Sequence, residues 1–228
     1  MAEIFGTNDK ILQVAKKLFA EKGYKSVTTR EIADQLGINI STFHYHTGGK
    51  GNLYKSVIES LYEIEHRALY EPIKEFDPKN FGDRAKVKSA IIMGLQAFVQ
   101  EMLKDPNRAH LYVRRWLEWP DEFMDYEVKL TIEIFRPFEE FLEEAANHGS
   151  VRGIDVSIFL RSFLWMVYGY FITGIIDWKK WVSDPLKKKN LEAFQIYLDD
   201  FIESMLFRDN SNRAIIAKKK PRNKLIRK

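Results

Sequence analysis

A short run of hydrogen-bonding side chains stands out in this chain of 228 residues. The run holds six such residues within about two helical turns: Asn39, Ser41, Thr42, His44, Tyr45 and His46. Amide, hydroxyl and imidazole groups on one helix can hydrogen-bond to the base edges and phosphate oxygens of DNA. A solvent-exposed helix in a plain helical hairpin, the alternative interpretation, would more often carry Glu and Lys. The residue types in this run therefore favour a helix that recognises DNA.

The residues around this run predict two short helices joined by a tight turn. Ile32, Ala33 and Leu36 give the first helix an apolar face, and Phe43 continues that face on the second helix. Ala33 is small enough for a close crossing, and Gly37 can adopt the positive φ that a sharp turn needs. This order is that of a helix-turn-helix, whose second helix lies in the major groove of DNA.

Capping residues mark both helix starts. Thr28 and Glu31 form a T-x-x-E capping box, and Asn39 is a favourable N-cap for the second helix. Apolar spacing predicts a preceding helix over residues 8–22 and a long following helix over residues 50–76. The long helix begins inside the helix-turn-helix unit and ends in the next region, so we expect it to link the two mechanically.

Residues 8–55 resemble the N-terminal domain of the tetracycline-repressor (TetR) family of bacterial transcriptional regulators. The matching motifs are A-x-x-L-F-x-x-x-G-Y at 15–24, T-x-R-E-I-A at 28–33, G-I-N at 37–39, Thr42-Phe43, Tyr45-His46, Lys50 and Leu53. The resemblance implies a homodimer that binds an inverted-repeat operator, and a helical C-terminal domain that binds a small effector. The expected DNA contacts are Thr28, Thr29, Arg30, Asn39, Ser41, Thr42, His44, Tyr45, His46 and Lys50.

Within that set, we expect two kinds of contact. Ser41, Thr42 and His44 lie early on the second helix and should face the groove, whereas the resemblance assigns phosphate contacts to Tyr45, His46 and Lys50. The chain departs from the family pattern in the segment 47–51, where Thr47 replaces a frequent Phe and two glycines precede Lys50. His44 also stands where the family usually has an aromatic residue. The segment 47–51 therefore lacks an apolar anchor and the usual N-cap of the long helix.

The rest of the chain also reads as helical. Apolar periodicity predicts helices over 85–103, 107–119, 122–147, 155–178 and 187–207, and no window shows strand-like alternation. The expected fold is all-α with about nine helices. We expect a helix-turn-helix DNA-binding domain over 1–53, a helical effector-binding and dimerisation domain over 54–207, and a basic, disordered tail over 208–228.

A narrow apolar seam runs along the last predicted helix. Its residues are spaced 3, 4, 3 and 4 apart: Leu191, Phe194, Leu198, Phe201 and Met205. This spacing is typical of paired helices, and the helix before it is apolar nearly all round. The seam therefore predicts a dimer interface. The alternative is that both helices pack only within their own core.

Aromatic and thioether side chains predict an effector pocket in the second domain. The candidates are Tyr62, His66, Met93, Phe98, Met102, Tyr112, Trp116, Trp119, Trp165 and Tyr168. Such a surface suits a small apolar ligand, and His66, Arg114 and Arg115 offer a polar end for it. The same residue types also build ordinary cores.

Several classes of protein are disfavoured. The chain has no cysteine and none of the common phosphate-loop, nucleophile-elbow or zinc-protease motifs, so we expect neither an enzyme nor a cofactor. His44 and His46 point about 200° apart on a helix, which does not suit one metal ion. No stretch reaches the length of a membrane span, and no signal peptide is evident, so we expect a cytoplasmic protein without membrane contact.

Charge is distributed unevenly. The net charge of +4 divides into +2 for residues 1–53 and +8 for 208–228, which leaves −6 for 54–207. Attraction to DNA phosphates must therefore come from the two ends, and the tail reads either as a phosphate-binding arm or as a solvated end. Two functions fit: a ligand-released transcriptional repressor, or a DNA-bound structural or interaction protein without an effector.

Overall fold

The computed structural model describes residues 7–118, 123–177 and 181–208, and it confirms an all-α fold. The described residues form nine α-helices: α1 Thr7–Lys22, α2 Thr29–Leu36, α3 Ile40–Thr47, α4 Lys50–Lys74, α5 Arg84–Lys104, α6 Asn107–Glu118, α7 Met124–Asn147, α8 Val156–Thr173 and α9 Lys188–Ile202. A 3-10 turn at Pro78–Asn80 precedes α5, and a π-helical turn at Glu203–Phe207 extends α9. Most of the predicted tail lies outside the described residues.

The first three helices form around one small core. Ala15 and Phe19 of α1, Ile32 of α2 and Phe43 of α3 are fully buried, because the apolar spacing of each helix faces the others. Gly37 has a φ of 65°, as the tight turn requires. The predicted helix-turn-helix is confirmed.

Both predicted N-caps of this unit are present. The Glu31 backbone N–H donates to Thr28 Oγ1 at 3.1 Å, and the Thr42 N–H donates to Asn39 Oδ1 at 2.7 Å. The carboxylate of Glu31 pairs with Lys22 of α1 at 2.5 Å instead of returning to its own helix start. The capping box thus has the bond from the Glu31 N–H to Thr28, and the carboxylate of Glu31 links α2 to α1.

The long helix α4 joins this unit to the second domain. Its N-cap is Gly49, which makes no side-chain cap bond, as the departure at residues 47–51 predicted. Its buried face runs from Leu53 to Ile73 and packs against α5 and α7. The core of the second domain therefore forms on the same helix that supports α3.

The apolar helix α8 is shorter than predicted. It ends at Thr173 because Gly174, with a φ of 67°, leaves the helical conformation. A short antiparallel pair follows, with β1 at Ile175–Asp177 and β2 at Trp181–Ser183. Of the described helices, only α8 is long and apolar enough for a membrane span, and half of it is buried within the protein.

The seam predicted for dimerisation lies largely inside the chain. Leu198 is fully buried and Phe194 nearly so, while Leu191, Phe201 and Met205 pack against the same core. The ring of Phe194 stacks on Tyr170 of α8 at 3.8 Å between centroids. Within a single chain, this 3–4 spacing packs α9 against α8, and a dimer interface on these residues stays a prediction.

Candidate nucleic-acid interface and ligand pocket

The helix α3 presents a polar surface to solvent. Ser41, His44, Tyr45 and His46 are exposed, whereas Phe43 anchors the helix from its opposite side. Tyr45 is 87% exposed, which is unusual for a large aromatic residue in a helix of eight residues. The rings of Tyr45 and His46 lie edge-to-face, at 5.4 Å between centroids. The short helix thus carries donors, acceptors and an aromatic ring on one accessible face.

The start of α2 adds to this face. Thr28 and Arg30 are exposed and Thr29 is half-buried, while Asn39 and Thr42 are held by their cap bond at the start of α3. No described acid forms a salt bridge with Arg30, so its guanidinium is available to a phosphate group. The predicted DNA contacts other than Lys50 therefore gather at the two helix starts and along α3.

Lys50 is engaged within the protein. Its ammonium group donates to the carbonyl oxygens of Tyr24 at 3.1 Å and Val27 at 3.0 Å, and it lies 4.4 Å from the centre of the Tyr24 ring. Two of its three N–H donors are thus used. In this geometry Lys50 links α4 to the loop after α1, and its expected phosphate contact stays a prediction.

A buried ionic cluster lies in the second domain. Arg115 of α6 is 3% exposed, and its Nε lies 3.1 Å from a carboxylate oxygen of Glu127, which is 4% exposed. The distance is that of an ion pair, but the N–H is not directed at the carboxylate. Arg115 also donates to the hydroxyl of Tyr62, which lies 2.7 Å from Thr131 Oγ1. The cluster thereby joins α4, α6 and α7.

A second acid, Glu65, is fully buried beside this cluster. Its Oε1 accepts a hydrogen bond from the Tyr168 hydroxyl at 3.4 Å, and its Oε2 has no hydrogen-bond partner among the described residues. Burial raises the pKa of Glu65 to about 8, although Tyr112, Arg115, Arg108 and Tyr168 oppose the shift. Glu65 is therefore mainly protonated at neutral pH.

The pKa of Glu127 also rises. Burial raises it to about 7, against the opposing charge of Arg115 and a hydrogen bond from Tyr54. The cluster therefore holds one permanent cation and two acids that ionise near neutral pH. A ligand that brings charge or hydrogen-bonding groups to this cluster would change its protonation.

A pocket of about 130 Å³ opens onto the cluster between α6, α7 and α8. Its walls are mostly apolar, and Tyr112, Arg115 and Tyr168 form part of its lining. The other lining residues are Trp116, Thr131, Phe135, Glu139, Ser157, Leu160, Arg161 and Leu164. A cavity of about 150 Å³ is enough for a benzene ring, so this one suits a single ring or a short chain.

A wider groove of about 540 Å³ lies on the outer side of α4, against α7. Tyr62 and His66 line it together with Leu130, Ile134 and four glutamates at positions 59, 63, 71 and 133. The ring of His66 stacks on Tyr70 at 5.0 Å between centroids. Several of the predicted pocket residues are thus divided between a mostly apolar pocket and a wider acidic groove.

Some residues predicted to line the pocket lie elsewhere. Met93 is 56% exposed on α5, and Phe98 and Met102 are fully buried core residues that line neither cavity. Trp165 is partly exposed and contacts the Trp116 ring at 4.8 Å between centroids. Trp119 lies outside the described residues. The structure therefore places Met93, Phe98 and Met102 outside the lining of these two cavities, and their role at an effector site stays a prediction.

The pocket helix α6 is fastened to α1. Arg114 Nε donates to the carbonyl oxygen of Ala20 at 2.8 Å, and its Nη2 donates to that of Glu21 at 2.6 Å. Arg114 also pairs with Glu118 at 3.1 Å, and the carboxylate of Glu118 lies directly against Gly23. Movement of α6 would therefore displace the C-terminal end of α1.

The buried acids were missed by sequence reasoning, although the sequence contains a signal for them. Glu65 occupies the apolar register of α4, between Leu61 and Leu69, and Arg108 and Arg115 occupy the buried register of α6. A charged residue at a core position is rare unless it has a partner. The helix periodicity could therefore have identified these residues, but not which of them meet.

Comparison with known proteins agrees with this architecture. Residues 11–57 match the family model described as bacterial regulatory proteins, tetR family. Over 63 residues the chain is 37% identical to the protein named Probable HTH-type transcriptional regulator YttP of Bacillus subtilis, a stretch that is 28% of this chain and 30% of YttP. The match therefore covers less than a third of YttP.

Longer matches have lower identity. The chain is 23% identical over 177 residues to the HTH-type transcriptional repressor KstR2 of Rhodococcus jostii, which covers 74% of this chain and 81% of KstR2. The structure of PfmR, a TetR family transcriptional regulator from Thermus thermophilus, aligns with a TM-score of 0.65 and 19% identity. That alignment covers 90% of this chain and 100% of PfmR, and it supports the same fold.

Proposed function

Because this chain is a transcriptional regulator of the TetR family, we propose that it is a cytoplasmic, homodimeric repressor that a small ligand releases from a palindromic operator. The observation that carries the proposal is the attachment of the pocket helix α6 to the DNA-binding unit through Arg114. The relative KstR2 is named a repressor, which supports repression over activation.

DNA reading is assigned to the exposed face of α3. Ser41, Thr42 and His44 would contact base edges, and Tyr45, His46 and Arg30 would contact the backbone. Phosphate contacts position a helix on DNA and base contacts specify the sequence. Changes at Ser41 or Thr42 should therefore alter sequence preference, and changes at Arg30 should weaken all sequences alike.

Dimerisation is assigned to the outer faces of α8 and α9 instead of the buried seam. Ile158 and Trp165 of α8 and Ile196 and Tyr197 of α9 expose large apolar surfaces, with Ile196 67% exposed. Exposed apolar patches of this kind mark interaction surfaces. A two-fold dimer would place two α3 helices on one side, as a palindromic operator requires.

The effector site is assigned to the pocket between α6, α7 and α8. An apolar part of the ligand would lie against Leu160 and Leu164, and a polar part would reach Arg115. Such a ligand would press on α6, which is joined to α1, and would act through Arg115 on Tyr62 of α4, which supports α3. It releases DNA only to the extent that it binds the released arrangement more tightly.

A ligand screen on paired pocket variants tests this function. The wild-type protein is first footprinted on the DNA that flanks its own coding region, and small apolar compounds are then screened by thermal shift and for DNA release. Leu164→Phe fills the pocket wall and should abolish the response to a releasing compound, while the DNA affinity of the empty protein remains close to wild type.

Met93→Trp is the matched control, because Met93 is exposed on α5 away from the pocket. It should respond to the ligand as the wild type does. If no compound releases DNA, or if Leu164→Phe and the control respond alike, the effector assignment fails and a DNA-bound structural protein becomes the better interpretation.

A further inference from the structure

A groove of about 690 Å³ lies where the DNA-binding unit meets the second domain. One wall comes from α1 and the end of α2, and the other comes from the turn between α5 and α6. The groove shares no lining residue with the pocket between α6, α7 and α8. Its role is therefore independent of the effector assignment.

The groove is positively charged. Lys16, Lys17, Lys104 and Arg108 line it, and Asp105 is the one acid in the lining. Lys104 and Arg108 belong to residues 54–207, which carry a net charge of −6, so these two cations stand out within an acidic region. Cations gathered on two facing walls attract an anion that both can contact.

Arg108 has unmet hydrogen-bonding capacity. Its side chain is 6% exposed, its Nε lies 4.0 Å from Asp105 Oδ2, and its Nη2 lies 4.0 Å from Glu101 Oε2. Charge-assisted hydrogen bonds are about 2.7–2.9 Å long, so neither of these two longer contacts is a hydrogen bond. Its Nε and Nη1 have no hydrogen-bond acceptor among the described residues. A buried guanidinium in this state favours an incoming anion.

The nearby acids are already engaged by other cations. Asp105 lies 2.5 Å from Lys16 Nζ, and Glu101 lies 2.6 Å from Lys104 Nζ. Glu65 also acts electrostatically on Arg108, but burial raises the pKa of Glu65 to about 8 and leaves it mainly uncharged at neutral pH. None of these acids supplies Arg108 with a bonded partner.

The two lysines at the rim form only exposed ion pairs, Lys17 with Glu21 and Lys104 with Glu101. Lys17 faces Glu21 at 3.9 Å, and the side chains of Lys17 and Lys104 are 64% and 68% exposed. Exposed ion pairs of this type contribute little, so both side chains can turn towards a ligand at small cost. The groove therefore combines a buried arginine on its floor with two adaptable lysines at its rim.

We propose that this groove binds a small anion bearing phosphate groups, with Arg108 and Lys16 on its floor and Lys17 and Lys104 at its rim. Arginine binds phosphate oxygens in a bidentate manner, and cations on both walls favour a multiply charged ligand such as a diphosphate. The bound anion would share Lys16 with Asp105, the ion pair that joins α1 to the turn between α5 and α6. Binding would therefore change DNA affinity.

Calorimetric titration of the full chain with inorganic pyrophosphate, at constant ionic strength set by sodium chloride, tests the proposal. We expect one saturable site per chain with a dissociation constant below about 1 mM. Arg108→Met keeps the length of the side chain and should weaken binding about tenfold or more. Lys189→Gln on α9 is the control, since it removes one exposed positive charge far from the groove and should leave binding unchanged.

A double variant provides a second test in case Arg108→Met does not fold. Lys17→Gln combined with Lys104→Gln changes only exposed side chains and should also weaken binding about tenfold. Absence of saturation up to about 10 mM pyrophosphate, a weak-affinity limit on the usual scale, would overturn the proposal. Equal weakening by Lys189→Gln would do so too.

The same variants distinguish a small anion from DNA. If the double variant lowers DNA affinity and its salt dependence without pyrophosphate present, the groove is a DNA surface and the proposal is wrong. Pyrophosphate should change DNA affinity by about fivefold or more in the proteins that bind it, and should have no effect in the variants that do not. That result would support coupling between anion binding and DNA binding.

Discussion

Arg114 on α6 donates hydrogen bonds to the last turn of α1, with its Nε 2.8 Å from the carbonyl oxygen of Ala20. This contact joins a helix that lines the ligand pocket to a helix that supports the DNA-binding face. The carbonyl groups at a helix C-terminus carry partial negative charge, so a guanidinium is well placed there. The two units are thus held together where an effector could act on them.

Replacement of Arg114 by methionine should weaken this coupling. The variant loses two charged hydrogen bonds, and unfolding free energy should fall by about 1–3 kcal/mol. The ratio of DNA dissociation constants with and without a releasing ligand should approach one, because α6 could move without displacing α1. Fluorescence anisotropy on labelled operator DNA measures this ratio. An unchanged ratio in a folded variant would show that the signal passes elsewhere, for example along α4.

The pH dependence of stability should report on Glu65. Because burial raises its pKa from 4.5 to about 8, the folded state holds a proton that the unfolded state has released over this range. The contribution of Glu65 to the free energy of unfolding should therefore be greatest below about pH 4.5 and should decline as the pH rises towards 8, by of order 5 kcal/mol. Denaturant titrations at intervals between pH 5 and 9 measure the decline.

Glu65→Gln should flatten that profile, since the amide cannot ionise. A smaller decline in the same direction should remain from Glu127, whose pKa is raised to about 7. Glu63→Gln is the control, because Glu63 is exposed on the same helix and should leave the profile as it is in the wild type. A wild-type profile that rises between pH 5 and 8 would contradict the assignment of a buried, protonated Glu65.

Two substitutions on α9 separate dimerisation from folding. Ile196→Glu places a charge on a side chain exposed in the single chain, so the protein should fold but sediment near the monomer mass of 26.9 kDa. Leu198→Glu places a charge in the core without a partner and should unfold the chain. Analytical ultracentrifugation at micromolar concentration, with circular dichroism, records both outcomes. A wild type that is monomeric, or an Ile196→Glu dimer, would refute the proposed interface.

Lys50→Met tests whether this lysine positions α3 or contacts a phosphate. Without the ammonium group, the bonds to Tyr24 and Val27 are lost, so α3 should be positioned less well and DNA affinity should fall. The slope of log affinity against log salt should stay unchanged, whereas loss of a phosphate contact would lower it by about 1. Binding isotherms between 50 and 200 mM salt, roughly the range over which such slopes are resolved, decide between the two roles.

Short-range features of the sequence correctly predicted the helix-turn-helix unit. The glycine turn at Gly37 and the caps at Thr28 and Asn39 depend on residues within a few positions of one another, and the structure contains all three features. Helix bounds in the second domain also agree with the apolar spacing to within a few residues, apart from α8. Gly174 ended that helix, although the surrounding apolar run continued.

Short-range sequence patterns could not predict which elements pack against one another. The 3–4 spacing around Leu198 indicates that α9 packs against a helix, but it does not say whether that helix belongs to the same chain. Met93 and Phe98 have similar chemistry, and only the packing of α5 exposes one and buries the other. The meeting of Glu127 with Arg115 likewise depends on the tertiary contact between α6 and α7.

A footprint on the DNA that flanks the protein's own coding region tests the central claim most directly. A homodimer that reads a palindrome should protect two patches related by two-fold symmetry, with centres about 10 base pairs apart or a near multiple of that distance. Thr42→Ala should change the preferred bases equally in both patches, because the same α3 helix reads each half. A single unsymmetrical patch, or protection that is indifferent to Thr42→Ala, would contradict a homodimer that reads a palindrome through α3.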